Sequence, residues 1–486
     1  MQVPFGEWLP DQPEHLNPGA NVATNVYYAL NSYKRFPSLV NYSSNNMGAD
    51  SRGAGSFRDN SGNVYNFVAN NTDIYQLDGG SFTSRKSSLT GGNTDYFTFT
   101  QFGNYVIASN GVDLPQYYLM GTSTNFANLS AINTAGTTPN FRVSGVIRDF
   151  LVTGNQSSNQ NRIQWSGIND IGVWEGKQAD LQDLPGSGGE IVHITSGEIG
   201  YVFRQNQIIR MDYVGGATIF RLSVISPNRG AVYGRTVCQD NRRVFFYADD
   251  GFFEINGDNV ISIGAEKVNR FFDANVNKAY TDRICAAVDP FNQLALWLYP
   301  SVNNTSNTTG ICDRILIYNY ATKKWSLAEA NASTIFSQFV GAYTVELMDI
   351  ISQNLDAINI ALDTDFWSGG QLFLGGIDSN YKAAIFSGTA NEGEIETSEV
   401  ELFPGFRSSI QSVRPIVDAE ATVTIKTRDR LADSVTSSSE ISMNDTGVNP
   451  VRQSGRYVKV NVKTPSGVAW NHAQGIDLIA SRSGLR

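Results

Sequence analysis

A unit of two apolar strands joined by a short turn containing Asn, Asp or Gly recurs along this chain, and it restricts the fold more than any other feature. A chain built from units of similar length folds into repeated modules that pack against one another. The units are VYNFVANNTDIYQL from Val64, YVIASNGVDLPQYYL from Tyr105, FLVTGNQSSNQNRIQW from Phe150, YVFRQNQIIRM from Tyr201, VFFYADDGFFEI from Val244, LALWLYP from Leu294 with its partner ILIYNY from Ile315, and QLFLGGIDSNYKAAIF from Gln371.

The spacing of the units identifies the architecture. Successive units start 41, 45, 51, 43, 50 and 77 residues apart, and a four-stranded propeller blade takes about 40 to 50 residues. Because each small sheet has two apolar faces, a closed ring of sheets covers both of them. We therefore predict an all-β fold, with a β-propeller of six or seven blades over residues 36–392. Tandem β-sandwiches are the alternative, but they would repeat at about 100 residues.

The chain changes character on both sides of the predicted propeller. Residues 1–35 are rich in Pro and Asn and predict an extended N-terminal arm, although strands packed on the chain's own domain fit as well. Residues 393–486 predict a C-terminal β domain, either a small sandwich or an extra sheet. The wide last spacing contains a segment, residues 333–362, that predicts an amphipathic helix or an elaborated blade, and a shorter helix is predicted from Glu266.

The charge balance bears on nucleic-acid binding. The 486-residue chain carries a formal net charge of −10, with a pI near 4.9. Phosphate binding depends on clustered Lys and Arg, so we expect weak affinity for DNA. An acidic surface is compatible with a channel through which DNA slides, because like charges remove sticking points.

Cysteine usage and hydropathy indicate the compartment. Cys238, Cys285 and Cys312 are far apart and form no CxxC pair, so we expect buried free thiols. The N-terminal MQVPFGEWLPDQPEHL lacks the pattern of an export signal, and no uncharged apolar stretch is long enough for a membrane span. We expect a protein made and assembled in the cytoplasm of the producing cell, without membrane contact.

The residues that carry most enzyme chemistry are sparse. His15, His193 and His472 lie in different regions and lack metal-binding spacing, and His193 is expected to be a strand residue. The glycine clusters match no nucleotide-binding motif, and there is no GxSxG nucleophile elbow. We therefore predict no catalytic residue, no metal ligand, no cofactor-binding residue and no cofactor, and hence a protein that is not an enzyme.

Two acidic segments invite closer comparison. YADDGFFEI, residues 247–255, is similar to the Asp-box turn of sialidase-type propellers but lacks its Ser, so Asp249 and Asp250 are interpreted as turn formers that accept backbone N–H bonds. DTDFWSGG, Asp363 to Gly370, lacks most of the oxygen ligands of a calcium loop. No pair of carboxylates stands out as a glycosidase site.

Four segments resemble one protein family. They are NVYYALNSYKRFPSLVNY near the start, NRIQWSGINDIGVWEG at residues 161–176, RQNQIIRMDYVGGATIFRLSVISPNRGAVYGRTV at residues 204–237 followed by FFYADDGFFEING, and GRYVKVNVKTPSGVAWNHAQGIDL at residues 455–478. Together they resemble the tail-hub, or packaged-DNA stabilisation, proteins of short-tailed bacteriophages, with tail nozzle proteins as relatives. The likeness consists of short spaced patterns that span most of the chain.

The resemblance implies a structural role in the virion tail. A member would form a ring, with a hexamer expected from the resemblance, at the head-tail connector below the portal and adaptor proteins. That ring would retain the packaged DNA until ejection, let DNA pass through its channel without specific binding, and carry tail fibre, spike or needle proteins. The alternative is a carbohydrate-binding or carbohydrate-active propeller of a phage tail, and a weaker one is a cellular interaction scaffold. Contacts with other subunits are expected from surface loops at residues 155–162, 303–310 and 434–450.

Overall fold

The first part of the chain is extended and forms strands. In a computed structural model that describes residues 1–216, 218–304, 309–339 and 372–484, five strands precede the first blade. They are β1 (Gln2–Pro4), β2 (Ala20–Thr24), β3 (Val26–Ala29), β4 (Ser32–Arg35) and β5 (Ser38–Asn41).

The next three sheets are four-stranded antiparallel blades, each formed by consecutive strands. Blade 1 comprises β6 (Gly53–Arg58), β7 (Val64–Ala69), β8 (Ile74–Asp78) and β9 (Ser81–Lys86). Blade 2 comprises β10 (Thr98–Phe102), β11 (Tyr105–Ser109), β12 (Gln116–Leu119) and β13 (Ala127–Asn128). Blade 3 comprises β14 (Phe141–Ile147), β15 (Phe150–Gln156), β16 (Asn159–Trp165) and β17 (Asp180–Asp183).

Blades 4 to 6 continue in the same order along the chain. Blade 4 comprises β18 (Ile191–Ile194), β19 (Ile199–Arg204), β20 (Ile208–Tyr213) and β21 (Phe220–Ser226). Blade 5 comprises β22 (Cys238–Asp240), β23 (Arg243–Ala248), β24 (Gly251–Asn256) and β25 (Asn259–Ser262). Blade 6 comprises β26 (Cys285–Asp289), β27 (Leu294–Tyr299), β28 (Cys312–Asn319) and the first half of β29 (Lys324–Phe339).

Blade 7 joins the two ends of the propeller. The second half of β29, from Ala332, pairs with β30 (Leu372–Asp378), which pairs with β31 (Ala383–Gly388). The fourth strand is β5, from the N-terminal region, which pairs with β31 through Leu39 and Phe386. The first strands of blades 1 to 4 pack side by side, as do those of blades 5 to 7, and the second half of β29 packs against β6. Between blades 4 and 5, the 3₁₀ turn at Gly234–Thr236 contacts β18 and β26. Over the residues that the structure describes, the ring therefore has seven blades and is closed by an N-terminal strand.

Each pair of neighbouring blades shares its own hydrophobic core. Adjacent side chains on a strand point to opposite faces of the sheet, so Phe67 packs against blade 2 while Val68 packs against blade 7. Seven such cores alternate with the seven sheets. This confirms the predicted β-propeller, and each repeated unit of the sequence corresponds to the two central strands of one blade.

The C-terminal region forms a two-layered β structure. Its strands are β32 (Gly393–Thr397), β33 (Val400–Glu401), β34 (Arg407–Val417), β35 (Thr422–Arg428), β36 (Thr436–Ser437), β37 (Asn449–Gly455), β38 (Tyr457–Thr464) and β39 (Ala473–Ser483). One layer has the order β3-β4-β39-β34-β37, with β1 paired to β39, and the other has the order β2-β32-β38-β35-β36. Alternate residues of β34 and β35 face the shared core, as in a sandwich.

The N-terminal strands connect this region to the propeller. Strand β2 pairs with β32 on one side and meets β29 at Thr24 and Leu327 on the other. Residues 1–35, predicted as an extended arm, are thus extended but belong to the sheets of the C-terminal region. The core of this region is continuous with the core between blades 5 and 6.

In the part of the chain that the structure describes, helices are few and short. The helix predicted from Glu266 is found as α1 (Asn269–Asn275), and single 3₁₀ turns occupy Leu129–Ile132, Gly186–Gly188, Gly234–Thr236 and Lys278–Arg283. Of the segment 333–362, the first residues belong to β29, and the predicted helical positions lie outside the described residues. Within the described ranges, no helix has the length and apolar character needed to cross a membrane.

Two of the three expected surface loops differ from the prediction or are only partly described. Residues 155–162 form a tight hairpin between β15 and β16, with only residues 157–158 outside the strands, because the ladder extends to Gln156 and Asn159. That prediction of a long loop is wrong. Residues 305–308 of the second loop are not described. Residues 434–448 form a connection that contains β36 and one bridge from Ile441 to Val423, and residues 449–450 begin β37.

Candidate functional site at one end of the propeller axis

Polar and charged side chains from every blade gather at one end of the propeller axis. The first strands of the blades lie side by side around the axis, so the segments that precede them meet at the same end. These segments carry Arg52 and Asp50 before β6, Asp95 and Tyr96 before β10, Arg142 in β14, Glu190 before β18, Arg235 before β22, Asp282 and Arg283 before β26, and Thr334 in β29. We call this group the axis cluster.

Close packing of the first strands brings the axis cluster together. A Cβ atom on Gly53 would lie 2.4 Å from the carbonyl oxygen of Phe97, so only glycine allows β6 to approach the start of β10 this closely. Hydroxyl groups bridge other neighbouring strands: Thr100 donates to the carbonyl of Ser144 at 3.0 Å, and Thr334 donates to the carbonyl of Ser51 at 3.3 Å.

One half of the axis cluster joins blades 1, 5, 6 and 7. Arg283 donates from Nη1 to Asp50 Oδ2 at 2.9 Å, and its Nε lies 3.6 Å from Asp282 Oδ2. Arg52 Nη1 lies 4.0 Å from the same Asp282 oxygen. Arg235 donates from Nη2 to Thr334 Oγ1 at 2.9 Å. Burial and the charges of Arg283 and Arg235 lower the pKa of Arg52 to about 10.

The other half of the axis cluster joins blades 2, 3 and 4. Arg142 donates from Nη2 to Asp95 Oδ1 at 2.9 Å, and its guanidinium lies over the ring of Tyr96. The hydroxyl of Tyr96 reaches the carbonyl of Val192 at 3.5 Å. Burial raises the pKa of Tyr96 above its ordinary value. The carboxylate of Glu190 accepts bonds from the amides of Asn155 and Gln205, and it lies on the blade 4 side.

These contacts close the interior of the propeller at this end. Side chains from non-adjacent blades, such as Arg283 and Asp50, are in direct contact.

Two of the cysteines lie beside the axis cluster. Cys312 Sγ is 3.6 Å from the carbonyl of Arg283, and the thiol of Cys285 contacts the Arg235 guanidinium. Burial raises the pKa of both thiols. Cys238 is also buried, and all three thiols are free as predicted. A thiol that stays protonated is a poor nucleophile and a poor metal ligand.

The three histidines are not brought together. His193 lies in β18, as predicted, and burial lowers its pKa to about 4. His15 lies beside Glu399 at 4.0 Å, and His472 is exposed just before β39. Among the residues that the structure describes, no group of three or more His, Cys, Asp or Glu side chains is arranged to hold a metal ion.

The turn at Asp249 and Asp250 has the predicted position between β23 and β24 but different partners. The Asp250 carboxylate forms a two-pronged ion pair with Arg229, with Oδ2 at 2.5 Å from Nη2. The prediction that the Asp250 carboxylate accepts backbone N–H bonds is wrong. Its two oxygens accept hydrogen bonds from Arg229, which lies in the connection between blades 4 and 5. Asp363 to Gly370 lie outside the described residues.

The opposite end of the axis has a groove between the turns of blades 4, 5 and 6. It has a volume of about 1130 Å³ and is lined by polar residues together with Ile199, Tyr201 and Tyr320. The rings of both tyrosines are buried, and their hydroxyls are bonded to the carbonyl of Gly257 at 2.7 Å and to Asp240 at 2.8 Å. The groove thus offers polar edges and few exposed aromatic faces on which a sugar ring could stack.

The axis cluster was not predicted from the sequence. Most of its members lie just before a first strand in successive blades, Arg142 and Thr334 lie within first strands, and each is an ordinary polar residue in its own segment. An alignment of the seven units on their first strands would have placed them at one end of the axis.

Comparisons with known proteins add nothing to what the geometry shows. No protein-family model matches the chain, and no curated protein matches it. Among solved structures, a chain of a structure titled "Crystal Structure of Mitotic Checkpoint Complex" aligns with 72% of this chain and 96% of its own length, at 11% identity and a TM-score of 0.39. At that score the likeness carries no functional information. The chain is an all-β, seven-bladed propeller with a β-sandwich-like C-terminal region.

Proposed function

We propose that this chain is a structural subunit of a bacteriophage tail, a hub or nozzle protein that assembles into a ring. The observation that carries the proposal is the resemblance of four segments to tail-hub proteins of short-tailed phages. Three of these segments fall in parts that hold the fold together: the closing N-terminal strands, the connection from blade 4 to blade 5, and the central strands β38 and β39.

The outer strands of blades 4 and 5 support a role in assembly. These strands, β21 and β25, lie next to each other and are edges of their sheets. Val224 in β21 is 53% exposed and Ile261 in β25 is 48% exposed. An edge strand with exposed apolar side chains is a surface that a neighbouring subunit can cover.

In this role the chain contributes shape and not chemistry. A ring of such subunits would sit below the portal and adaptor proteins, retain the packaged DNA, and hold fibre, spike or needle proteins. DNA would pass between subunits, and the net charge of −10 would keep its backbone from adhering.

The localisation is tested with purified particles. Mass spectrometry and an antibody against the chain are expected to find it at a fixed ratio to the portal protein, and negative-stain images of the purified chain are expected to show rings. A chain that is absent from particles and stays a monomer at all concentrations would rule the proposal out.

The assembly surface has its own test. Val224→Asp and Ile261→Asp introduce charge on the outer strands and are expected to weaken ring formation in analytical ultracentrifugation. Val468→Asp, at an exposed position of the C-terminal region, is the matched control. If all three variants form rings equally well, the interface lies elsewhere and β21 and β25 have no role in assembly.

The carbohydrate-binding alternative stays a prediction. A glycan array probed with the purified chain would test it, with binding that depends on the blade 4 to 6 groove as the positive outcome.

A further inference from the structure

We propose that the Arg52 corner of the axis cluster is a binding site for a small oxyanion of the phosphate class. The corner consists of Arg52, Arg235 and Arg283 with Asp50 and Asp282. This site goes beyond the structural role proposed above and does not depend on it.

The first observation is a buried guanidinium group with incomplete partners. The Arg52 side chain is only 5% exposed, yet among the described residues its guanidinium donates no hydrogen bond and has one carboxylate oxygen at 4.0 Å. Arginine carries five N–H donors and stays charged. The guanidinium nitrogens of Arg52 are not among the fully enclosed polar atoms of the described residues, so they face accessible space. Because the rest of the side chain is buried and a poorly paired charge is costly there, a ligand that accepts those hydrogen bonds would bind favourably.

The second observation is the local charge balance. The guanidinium groups of Arg283 and Arg235 lower the pKa of Arg52 by more than the carboxylates of Asp50 and Asp282 raise it, so positive charge predominates around Arg52. Asp50 is bonded to Arg283, and Asp282 lies between Arg283 and Arg52. Within the described part of the chain, no carboxylate lies within 4.0 Å of the Arg235 guanidinium, which bonds to a hydroxyl and a thiol.

The geometry suits an oxyanion. Arg52 and Arg235 come from different blades, and Arg235 donates to the hydroxyl of Thr334, which donates to the carbonyl of Ser51, the residue before Arg52. Planar guanidinium groups bind phosphate oxygens through paired hydrogen bonds. Burial and the neighbouring arginines lower the pKa of Arg52 to about 10, so an added negative charge relieves the repulsion. The two aspartates limit the site to one small anion, because a second would meet their negative charge.

The other arginine of the axis cluster serves as an internal comparison. Arg142 is bonded to Asp95 at 2.9 Å and lies over the Tyr96 ring. Its charge is already paired, so we assign no anion to that half of the axis cluster.

The experiment measures binding of inorganic phosphate by isothermal titration calorimetry in chloride buffers of matched ionic strength. The wild-type chain is expected to bind one phosphate per chain. Arg52→Met and Arg235→Gln are each expected to weaken the affinity by about tenfold or more, because the loss of one hydrogen bond between charged groups changes a dissociation constant by about that factor. Arg221→Gln, at a position that is 64% exposed on blade 4, is the control and is expected to leave the affinity unchanged.

A second measurement separates binding from folding. Thermal unfolding without phosphate is expected to leave Arg52→Met at least as stable as the wild type, because a poorly paired buried charge is replaced by an apolar side chain. Added phosphate is expected to raise the melting temperature of the wild type and not of this variant. If Arg52→Met does not fold, Arg235→Gln, whose side chain is less buried, carries the test.

Two further arms identify the source of the oxyanion. A short oligonucleotide with a 5′-phosphate that binds more tightly than its unphosphorylated form would assign the site to a strand end, and binding of inorganic phosphate alone would assign it to a free ion. No saturable phosphate binding in the wild type, or an affinity of Arg52→Met and Arg235→Gln equal to that of the wild type, would overturn the proposal.

Discussion

Phe245 and Phe246 are neighbours in β23, and both are fully buried, but they belong to two different hydrophobic cores. Phe245 packs between blades 5 and 6, and Phe246 packs between blades 4 and 5. One strand thus joins two seams of the ring, which explains why the sequence of a central strand is apolar at consecutive positions.

Replacing either phenylalanine is expected to destabilise the chain to a similar extent. Phe245→Ala and Phe246→Ala should each lower the free energy of unfolding by about 3–5 kcal/mol, because each leaves a cavity in a tightly packed seam. Urea unfolding followed by circular dichroism measures this. Val224→Ala, at an exposed position, is the control, with an expected change within about 0.5 kcal/mol. A large effect of only one of the two substitutions would contradict the view that both faces of the blade 5 sheet are equally well packed.

The N-terminal strands are expected to hold the two parts of the chain together. A chain that begins at Ser43 lacks β5, which closes blade 7, and β1 to β4, which complete the C-terminal sheets. We expect it to lose cooperative unfolding and to be cut by protease at the exposed edges of β31 and β32. A peptide of residues 1–42 added in trans should restore resistance. Unchanged resistance of the truncated chain would show that the closure is dispensable.

Removing one partner of the ion pair between Glu399 and Arg428 is expected to destabilise the chain strongly, whereas removing both partners is expected to cost much less. Glu399 is 2% exposed, and Arg428 donates from Nε and Nη2 to its two carboxylate oxygens at 2.6 and 2.5 Å. Glu399→Leu leaves a partly buried charge and should cost about 3–5 kcal/mol.

Replacing both partners tests the same point from the other side. The double variant Glu399→Leu with Arg428→Met should recover much of the lost stability, because no charge is left without its partner. Urea unfolding of the four proteins of the double-mutant cycle gives the coupling energy. A double variant as unstable as the sum of the two single variants would show that the side chains act independently.

Acid sensitivity is expected to depend on His193. Burial lowers its folded-state pKa to about 4, below the usual 6.5, so the unfolded chain binds a proton between these values and the folded chain does not. The free energy of unfolding is therefore unaffected by this group above about pH 6.5. It decreases as the pH falls towards 4, by at most about 3 kcal/mol.

The matched pair of variants isolates this contribution. Denaturant unfolding at pH 7 and pH 4.5 should show a smaller loss of stability for His193→Asn than for the wild type. His472→Asn, at an exposed position, should behave like the wild type. Equal losses in all three proteins would exclude His193 as the source.

The repeat predicted the propeller because blade formation is local. The two central strands of each blade are joined by a short turn, so they are encoded within one unit such as that from Val244 to Ile255. The strands read as apolar because both faces of each sheet are covered. Blade count was left open at six or seven, since the strand that completes blade 7 comes from the other end of the chain.

Some partners could not be identified from their own segments. Asp250 is a turn residue by its sequence, and only the folded chain brings Arg229 to it. The hairpin at residues 155–162 was predicted to be a loop because its polar composition hides the ladder between Gln156 and Asn159. A prediction based on side-chain polarity alone assigns the polar ends of strands to loops.

The sequence by itself determined that the chain is all-β, that its sheets recur at blade length, and that its cysteines are buried thiols. The tertiary structure decided how the ring closes, how residues 1–35 enter the C-terminal sheets, and which charges meet at the axis. The physical reason is the distance along the sequence between residues that contact each other. Strand pairing across a short turn is fixed by neighbouring residues, whereas Arg52 and Asp282, separated by most of the propeller sequence, approach each other only when seven sheets have packed around a common axis.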